Sequence, residues 1–232
     1  MQILIVDQCS KAKKGDDRYE PVDPETIATT PRTDLISQDD IPAVPATDLY
    51  EGRQQQRITE AVNRFEEAGD AVDRIFISAG FGVIDSTDRL PPYNITFADM
   101  TSTEVDDRAT QLGIYEDLRR CLDTGTYDLV FFALGSDYYR SARIEDLIEA
   151  TTDAPSIVVF NREELAAEYD HVVSISARTD DAKDHGTIVI ALKGQYLKNF
   201  AAHRETGKTP TETGDVKRYC TEDPYQSGLS DY

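Results

Sequence analysis

Lysine is missing from the long middle of this chain. Lys11, Lys13 and Lys14 stand near the start, and Lys183, Lys193, Lys198, Lys208 and Lys217 near the end. Between Gly15 and Ala182 arginine alone supplies positive charge. Cations are scarce overall: 24 Lys plus Arg face 44 Asp plus Glu, a formal net charge of −20. The acids are spread along the whole chain instead of forming one tail, which reads as adaptation to molar salt more than as an acidic docking segment. No basic stripe exists of the kind that phosphate-backbone binding needs, so duplex nucleic acid is a disfavoured partner. The lysine distribution has two readings, drift in a lysine-poor proteome or two distant segments bringing ammonium groups to one anionic site.

Cysteine is sparse and odd in number. Cys9, Cys121 and Cys220 show no paired spacing, which argues against a disulfide framework and against a zinc knuckle. His171, His185 and His203 lack ligand spacing, so no metal is predicted. Long apolar runs are absent as well. Ile3 to Val6 is only four residues long, far short of a signal peptide or a membrane span, and the expectation is a cytoplasmic protein. Neither GxGxxG nor GxxxxGK[ST] occurs, so dinucleotide-dependent hydride transfer and ATP hydrolysis lack support and no cofactor is predicted.

What is present alternates. Gln2 to Val6 reads as a buried, central strand that stops at Asp7-Gln8-Cys9-Ser10. Residues 15–48 carry Pro21, Pro24, Pro31, Pro42 and Pro45 among Asp and Thr, and read as a long surface loop. Ile58, Ala61, Val62 and Phe65 fall at i, i+3, i+4 and i+7 of a helix ended by Gly69. Arg74 to Ser78 is the next buried strand. Leu112, Tyr115, Leu118 and Leu122 mark a helix ended by Gly125, and Asp128 to Leu134 a third strand. A helix at Ile144, Leu147 and Ile148 precedes a strand at Ser156 to Phe160. Asn161 and Glu164 have capping-box spacing for a helix through Leu165 and Tyr169. His171 to Ser176 and Thr187 to Leu192 read as strands, Lys193 to His203 as a helix, and 205–232 as a flexible tail. Near-continuous apolar strands alternating with amphipathic helices predict one α/β domain over 1–204, a Rossmann-like three-layer sandwich with a mostly parallel central sheet.

Ligands of such sheets bind outside the carboxyl ends of the strands. Three loops there have unusual content: Asp7 to Lys11, Ser78-Ala79-Gly80-Phe81-Gly82, and Gly135-Ser136-Asp137-Tyr138-Tyr139. Their glycines let backbone N–H groups approach a ligand closely. Cys9, near several ammonium groups, is a candidate nucleophile, or a small residue packed in a tight turn. Ser10 can hold a phosphate or cap the next turn. Two prolines stiffen Pro91-Pro92-Tyr93 into an extended form that can hold Tyr93 against a flat ring, or pack it on the core. Lys193, where a strand is expected to end, can reach the sheet's carboxyl edge.

Taken in order, Asp7-Gln8-Cys9-Ser10-Lys11-Ala12-Lys13, Asp48-Leu49-Tyr50-Glu51-Gly52, Ile77 to Ile84 and Pro91-Pro92-Tyr93 resemble the YaaA-like superfamily, in its short branch and in a haloarchaeal-type acidic version. Gly135 to Tyr139 and Lys193-Gly194 are similar to its downstream elements, so the likeness spans residues 2–200. The resemblance implies a Rossmann-like core linked to nucleotide or nucleic-acid biology, with associations to peroxide stress and base modification. The expected function is processing of a nucleotide or modified base, of N-glycosidase or base-exchange type. In that reading Ser10 and Lys11 hold phosphate or ribose, Tyr50 belongs to the pocket, the Ser78 to Gly82 loop cradles the base, and Tyr93 stacks. Asp7 or Asp137 is the acid/base or the carboxylate facing an oxocarbenium ion. The alternatives are a non-catalytic nucleic-acid-binding or stress protein using Lys11, Lys13 and Lys14, and a redox sensor working through Cys9.

Overall fold

A computed structural model of the chain describes residues 1–11, 13, 20–38, 41–151 and 155–225. Strand β1 (Gln2–Gln8) is followed by α1 (Pro24–Thr29), α2 (Arg32–Ile36), β2 (Val44–Pro45), α3 (Ala46–Leu49) and the long α4 (Arg53–Glu67). Next come β3 (Ala71–Ser78), β4 (Gly82–Asp85), β5 (Arg89–Leu90), α5 (Ser102–Gln111) and α6 (Ile114–Thr124). The chain continues through β6 (Leu129–Phe132), α7 (Ser136–Ala142), α8 (Ile144–Glu149), β7 (Ser156–Phe160) and α9 (Glu163–Glu168). It ends in β8 (Val172–Ile175), α10 (Thr179–Asp184), α11 (Val189–Glu205) and α12 (Thr213–Thr221).

The result is a mixed α/β fold with a six-stranded, mostly parallel sheet in the order β4-β3-β1-β6-β7-β8. Only β4 runs antiparallel, paired to β3. β1 is central because every side chain from Ile3 to Val6 is buried, at most 1 % exposed, and strand neighbours flank it on both sides. Alternation along β1 then assigns the layers. Ile3 and Ile5 pack with Ile58, Ala61 and Phe65 of α4 and with Leu192, Tyr196 and Phe200 of α11. Leu4 and Val6 pack on the opposite face with Val105, Leu118 and Leu147 of α5, α6 and α8. Each such side chain taken from water contributes about 1.5–3 kcal/mol. No described helix is long and apolar enough to cross a membrane.

Four expectations are corrected. Thr187 to Leu192 is not a strand: α11 begins at Val189 and takes in the β-branched run, whose residues Ile188, Val189 and Ile190 are exposed in its first turn. The helical pattern of Leu192, Tyr196 and Phe200 outweighs the local β propensity. Asn161 does not cap α9; it adopts φ 56° and its Oδ1 accepts from Ala177 N at 2.8 Å, tying β7 to the segment after β8. The described part of 15–48 is not a bare surface loop. Pro24, Pro31 and Pro45 start short helices, as proline does at N1 and N-cap, and Ile27 and Leu35 are buried on the core.

The fourth concerns the C-terminal segment. α12 docks on α11, with Val216, Tyr219 and Cys220 buried, His203 stacked on Tyr219 at 4.5 Å, and Asn199 Nδ2 donating to Cys220 O at 2.9 Å. Polar composition concealed three apolar residues at helical spacing. Tyr219→Ala is expected to lower the unfolding free energy by about 3 kcal/mol in urea titrations, whereas a flexible tail would give no change.

Candidate functional site

Parallel strand order reverses between β1 and β6: the chain passes from β1 to β3 on one side, then crosses to β6 on the other. At a reversal the loops leaving the two strands diverge and open a crevice. Here those loops are Gln8-Cys9-Ser10 and Ala133-Leu134-Gly135. Gln8 Oε1 accepts from Gly135 N at 2.6 Å and so staples them together. The first turn of α4 holds both from one side, Gln55 Nε2 donating to Gln8 O at 2.9 Å and Gln54 Nε2 to Ala133 O at 2.7 Å. Ser10 lies against Gly52, where a Cβ would fall 2.9 Å from Ser10 Cβ. Lys193 of α11 reaches in and donates to Leu134 O. Burial pushes its ammonium down to about 8, opposed in part by the Asp7 carboxylate. Asp137, half-buried in the first turn of α7, makes no hydrogen bond or ion pair among the described residues. Gln8, Ser10, Gly135, Asp137 and Lys193 thus stand on the segments that meet at this reversal.

The Asp7 side chain, by contrast, is fully buried and turned toward α4. Oδ1 accepts from Gln54 Nε2 (2.8 Å), Gln55 Nε2 (3.1 Å) and Gln8 N (2.8 Å), and Oδ2 from Arg74 Nη2 (2.7 Å). With no solvent exposure and four donors already on it, the expected catalytic carboxylate is placed as half of a buried ion pair. Gln54, Gln55 and Arg74 are the residues that the sequence reading missed. A signal existed: Asp7 ends the apolar run 3–6 and Arg74 opens the apolar run 75–77, and charges so close to buried runs require partners.

On the other face of the sheet, Cys9, Tyr50, Ser78, Gly80, Phe81, Tyr93 and Tyr138 do assemble, but as packed interior. Tyr50 OH and Ser78 Oγ lie 2.6 and 2.8 Å from Tyr93 OH. Cys9 Sγ lies 2.9 Å from Tyr138 OH, which also approaches Thr96 Oγ1 at 3.2 Å. Of these, Cys9, Tyr50, Ser78, Tyr93 and Tyr138 are at most 4 % exposed. Burial pushes the Tyr50, Tyr93 and Tyr138 hydroxyls well up, with the nearby Cys9 sulfur adding to the effect.

The glycine loop is the tight turn of the β3–β4 hairpin, with Ser78 paired to Gly82. Gly82 takes φ +79°, a region costly for other residues, which accounts for the glycine without a ligand. The Gly80 and Phe81 N–H groups already donate to Ser78 Oγ at 3.2 and 3.0 Å, so these two donors are engaged within the loop itself. Tyr93 has no open face either. Gly80 lies against the ring, Phe81 meets it edge-on at 5.1 Å, and the Lys13 ammonium sits 4.5 Å from its centroid. Lys11 points to solvent, 74 % exposed and paired with exposed Asp99. Lys14 lies outside the described residues.

Asp7→Asn is expected to destabilise the protein by about 3 kcal/mol, since removing one partner of a buried pair strands the other charge; equal urea midpoints for variant and parent would refute this. The three thiols should also react in a set order. Half-buried Cys121 should be alkylated by iodoacetamide first in the native protein, with buried Cys9 and Cys220 released only on unfolding. Peptide mapping that finds Cys9 fastest would restore it as an accessible nucleophile. No protein-family model matches this chain, and no curated protein matches it significantly.

Proposed function

We propose that this chain binds, and processes, a nucleotide or modified base in the crevice between the β1 and β6 loops of a Rossmann-like core. The observation that carries the reading is Lys193: a half-buried ammonium beside the strand-order reversal, donating to a carbonyl and in no ion pair among the described residues. An ammonium so placed, with only the more distant Asp7 carboxylate offsetting it, is an arrangement that a phosphate completes. Ser10 and the Gly135 loop then flank the ligand, and Asp137 is the remaining carboxylate for acid/base work or for facing an oxocarbenium ion in N-glycosidic chemistry. The resemblance to the YaaA-like superfamily points the same way. The base is received by the crevice walls and not by the Ser78 to Gly82 turn. Binding of nucleic acid through Lys11 and Lys13 has less support, because one is paired with Asp99 and the other is turned onto Tyr93. A cytoplasmic, high-salt setting belongs to the same proposal.

A panel of nucleotides and nucleosides in molar potassium chloride should raise the melting temperature of the parent but not of Lys193→Met. Asp137→Asn should keep the shift and lose turnover. No shift with any member would remove the reading.

The pH dependence has a definite sign. A free lysine titrates near 10.4, so a folded-state value of about 8 makes the ammonium a burden on stability. That burden is fully present below about pH 8 and is relieved as pH rises toward 10. Nucleotide affinity should therefore fall as pH rises through about 8 in isothermal titrations, and Lys193→Met should flatten the profile.

A further inference from the structure

On the outer face of α4 and α11 lies a groove of about 660 Å³, walled by Arg53, Gln56, Arg57 and Glu60 of α4 and by residues 186–188, Ala191 and Lys198. Its charge runs against the rest of the molecule. Arg53, Arg57 and Lys198 are three cations against the single carboxylate of Glu60, in a chain with a net charge of −20. Lys198 is paired with Glu60. Arg57 donates to the neutral amide oxygen of Gln195 at 3.0 Å, and Arg53 makes no hydrogen bond or ion pair among the described residues. The two arginines are one turn apart on α4 and project from the same side.

The surrounding backbone has the same sign. α4 and α11 run side by side in the same direction, as Arg57–Gln195, Glu60–Lys198 and Arg64–Glu205 contacts show. Both positive ends therefore converge on the groove. Every other described α-helix carries Asp or Glu in its first turn; α4 and α11 carry none and have no side-chain cap. In a chain so rich in acids, Glu60 is the one carboxylate lining the groove, and it is paired with Lys198, while neither arginine has an ion-pair partner among the described residues.

We propose that this groove is a binding site for a di- or triphosphate group, held by Arg53 and Arg57. Arginine forks match phosphoryl oxygens in bidentate fashion, and two forks one turn apart suit adjacent phosphoryl groups better than a lone halide. The site is separate from the crevice. Lys193 turns inward to Leu134 O, and the close approach at Gly194, where a Cβ would fall 2.5 Å from Arg57 Cβ, lies between the two.

Pyrophosphate and a nucleoside triphosphate, each titrated calorimetrically in molar potassium chloride, provide the test. Pyrophosphate should bind the parent and Lys193→Met alike, and at least about tenfold more weakly to Arg53→Gln/Arg57→Gln. Gln56→Glu, which supplies an internal carboxylate, should raise the melting temperature and weaken pyrophosphate binding. A triphosphate that tolerates the double substitution but not Lys193→Met is held by the crevice alone. Absence of pyrophosphate binding, binding unchanged in the double variant or in Gln56→Glu, or loss confined to Lys193→Met each overturns the groove proposal. Loss confined to Lys193→Met places the phosphate in the crevice instead, and the nucleotide panel tests that reading separately.

Discussion

The carboxylate of Asp7, with no solvent contact, is the point from which the arrangement at the sheet's carboxyl edge is built. Burying an ion costs several kcal/mol unless its partners are well placed, and here they come from three elements: β1 itself, β3 through Arg74, and the first turn of α4 through Gln54 and Gln55. The same two glutamines use their amides on the backbone carbonyls of Ala133 and Gln8. One buried charge therefore fixes the height of α4 against the sheet and the separation of the loops after β1 and β6. Arg74 also donates to Thr59 on the next turn of α4 and lies over the Phe76 ring, so the guanidinium is held from several directions. The crevice inherits its shape from this pair, although neither charge faces it.

The two sides of the sheet's rim are chemically unlike. Toward α5 and α7 the packed groups are mostly hydroxyls, a thiol and rings, with the Lys13 ammonium over Tyr93 and Arg108 on the Ala79 and Gly80 carbonyls. Tyr50, Tyr93 and Ser78 bring three hydroxyl protons to two mutual contacts, and burial keeps the phenols neutral. Such a network orients and rigidifies but does not exchange protons near neutral pH. At the rim of the β1–β6 reversal stand the Lys193 ammonium of α11, lowered to about 8, and the Asp137 carboxylate of α7, which makes no hydrogen bond or ion pair among the described residues. An ammonium that changes charge near pH 8 is one group that acid–base chemistry can use. The packed side is support, and the side that Lys193 enters is where the proposed ligand sits.

Much of the sheet was legible because the signal is local. Isoleucine and valine runs at 2–6 and 156–160 cannot be satisfied except in a sheet covered on both faces, and Ile58, Ala61 and Phe65 can only form one helical face. The convergence of Cys9, Ser78, Tyr93 and Tyr138 was also legible, since strand ends of a parallel sheet share an edge. Their depth was not. Whether a strand-end residue faces a cleft or lies under cover depends on a distant segment, and here Val22 pairs with Tyr93 and donates to Pro92 O at 2.8 Å across more than sixty intervening residues of chain. The Thr187 to Leu192 run misled for the opposite reason: its composition is that of a strand, but its fate was decided by the apolar positions further along α11. Asp7 misled because an acid at a strand end reads alike as catalyst and as half of an ion pair until Arg74 is placed beside it.

Net charge alone would forbid an anionic ligand to this protein, yet charge acts over distance only as far as salt allows. In molar salt, the setting to which the acid surplus points, the Debye length is about 3 Å. The surplus of carboxylates elsewhere on the surface is then nearly invisible at the crevice and at the α4–α11 groove, while cations in contact with a ligand, or buried away from the ions, keep their full effect. Steering from afar is lost and selectivity rests on contact geometry: the depth of Lys193, the spacing of Arg53 and Arg57, and the bare first turns of two long helices. A protein built for such a medium can carry acid wherever solvation is needed and still hold an anion, provided that it withholds acid from the few places where the anion sits.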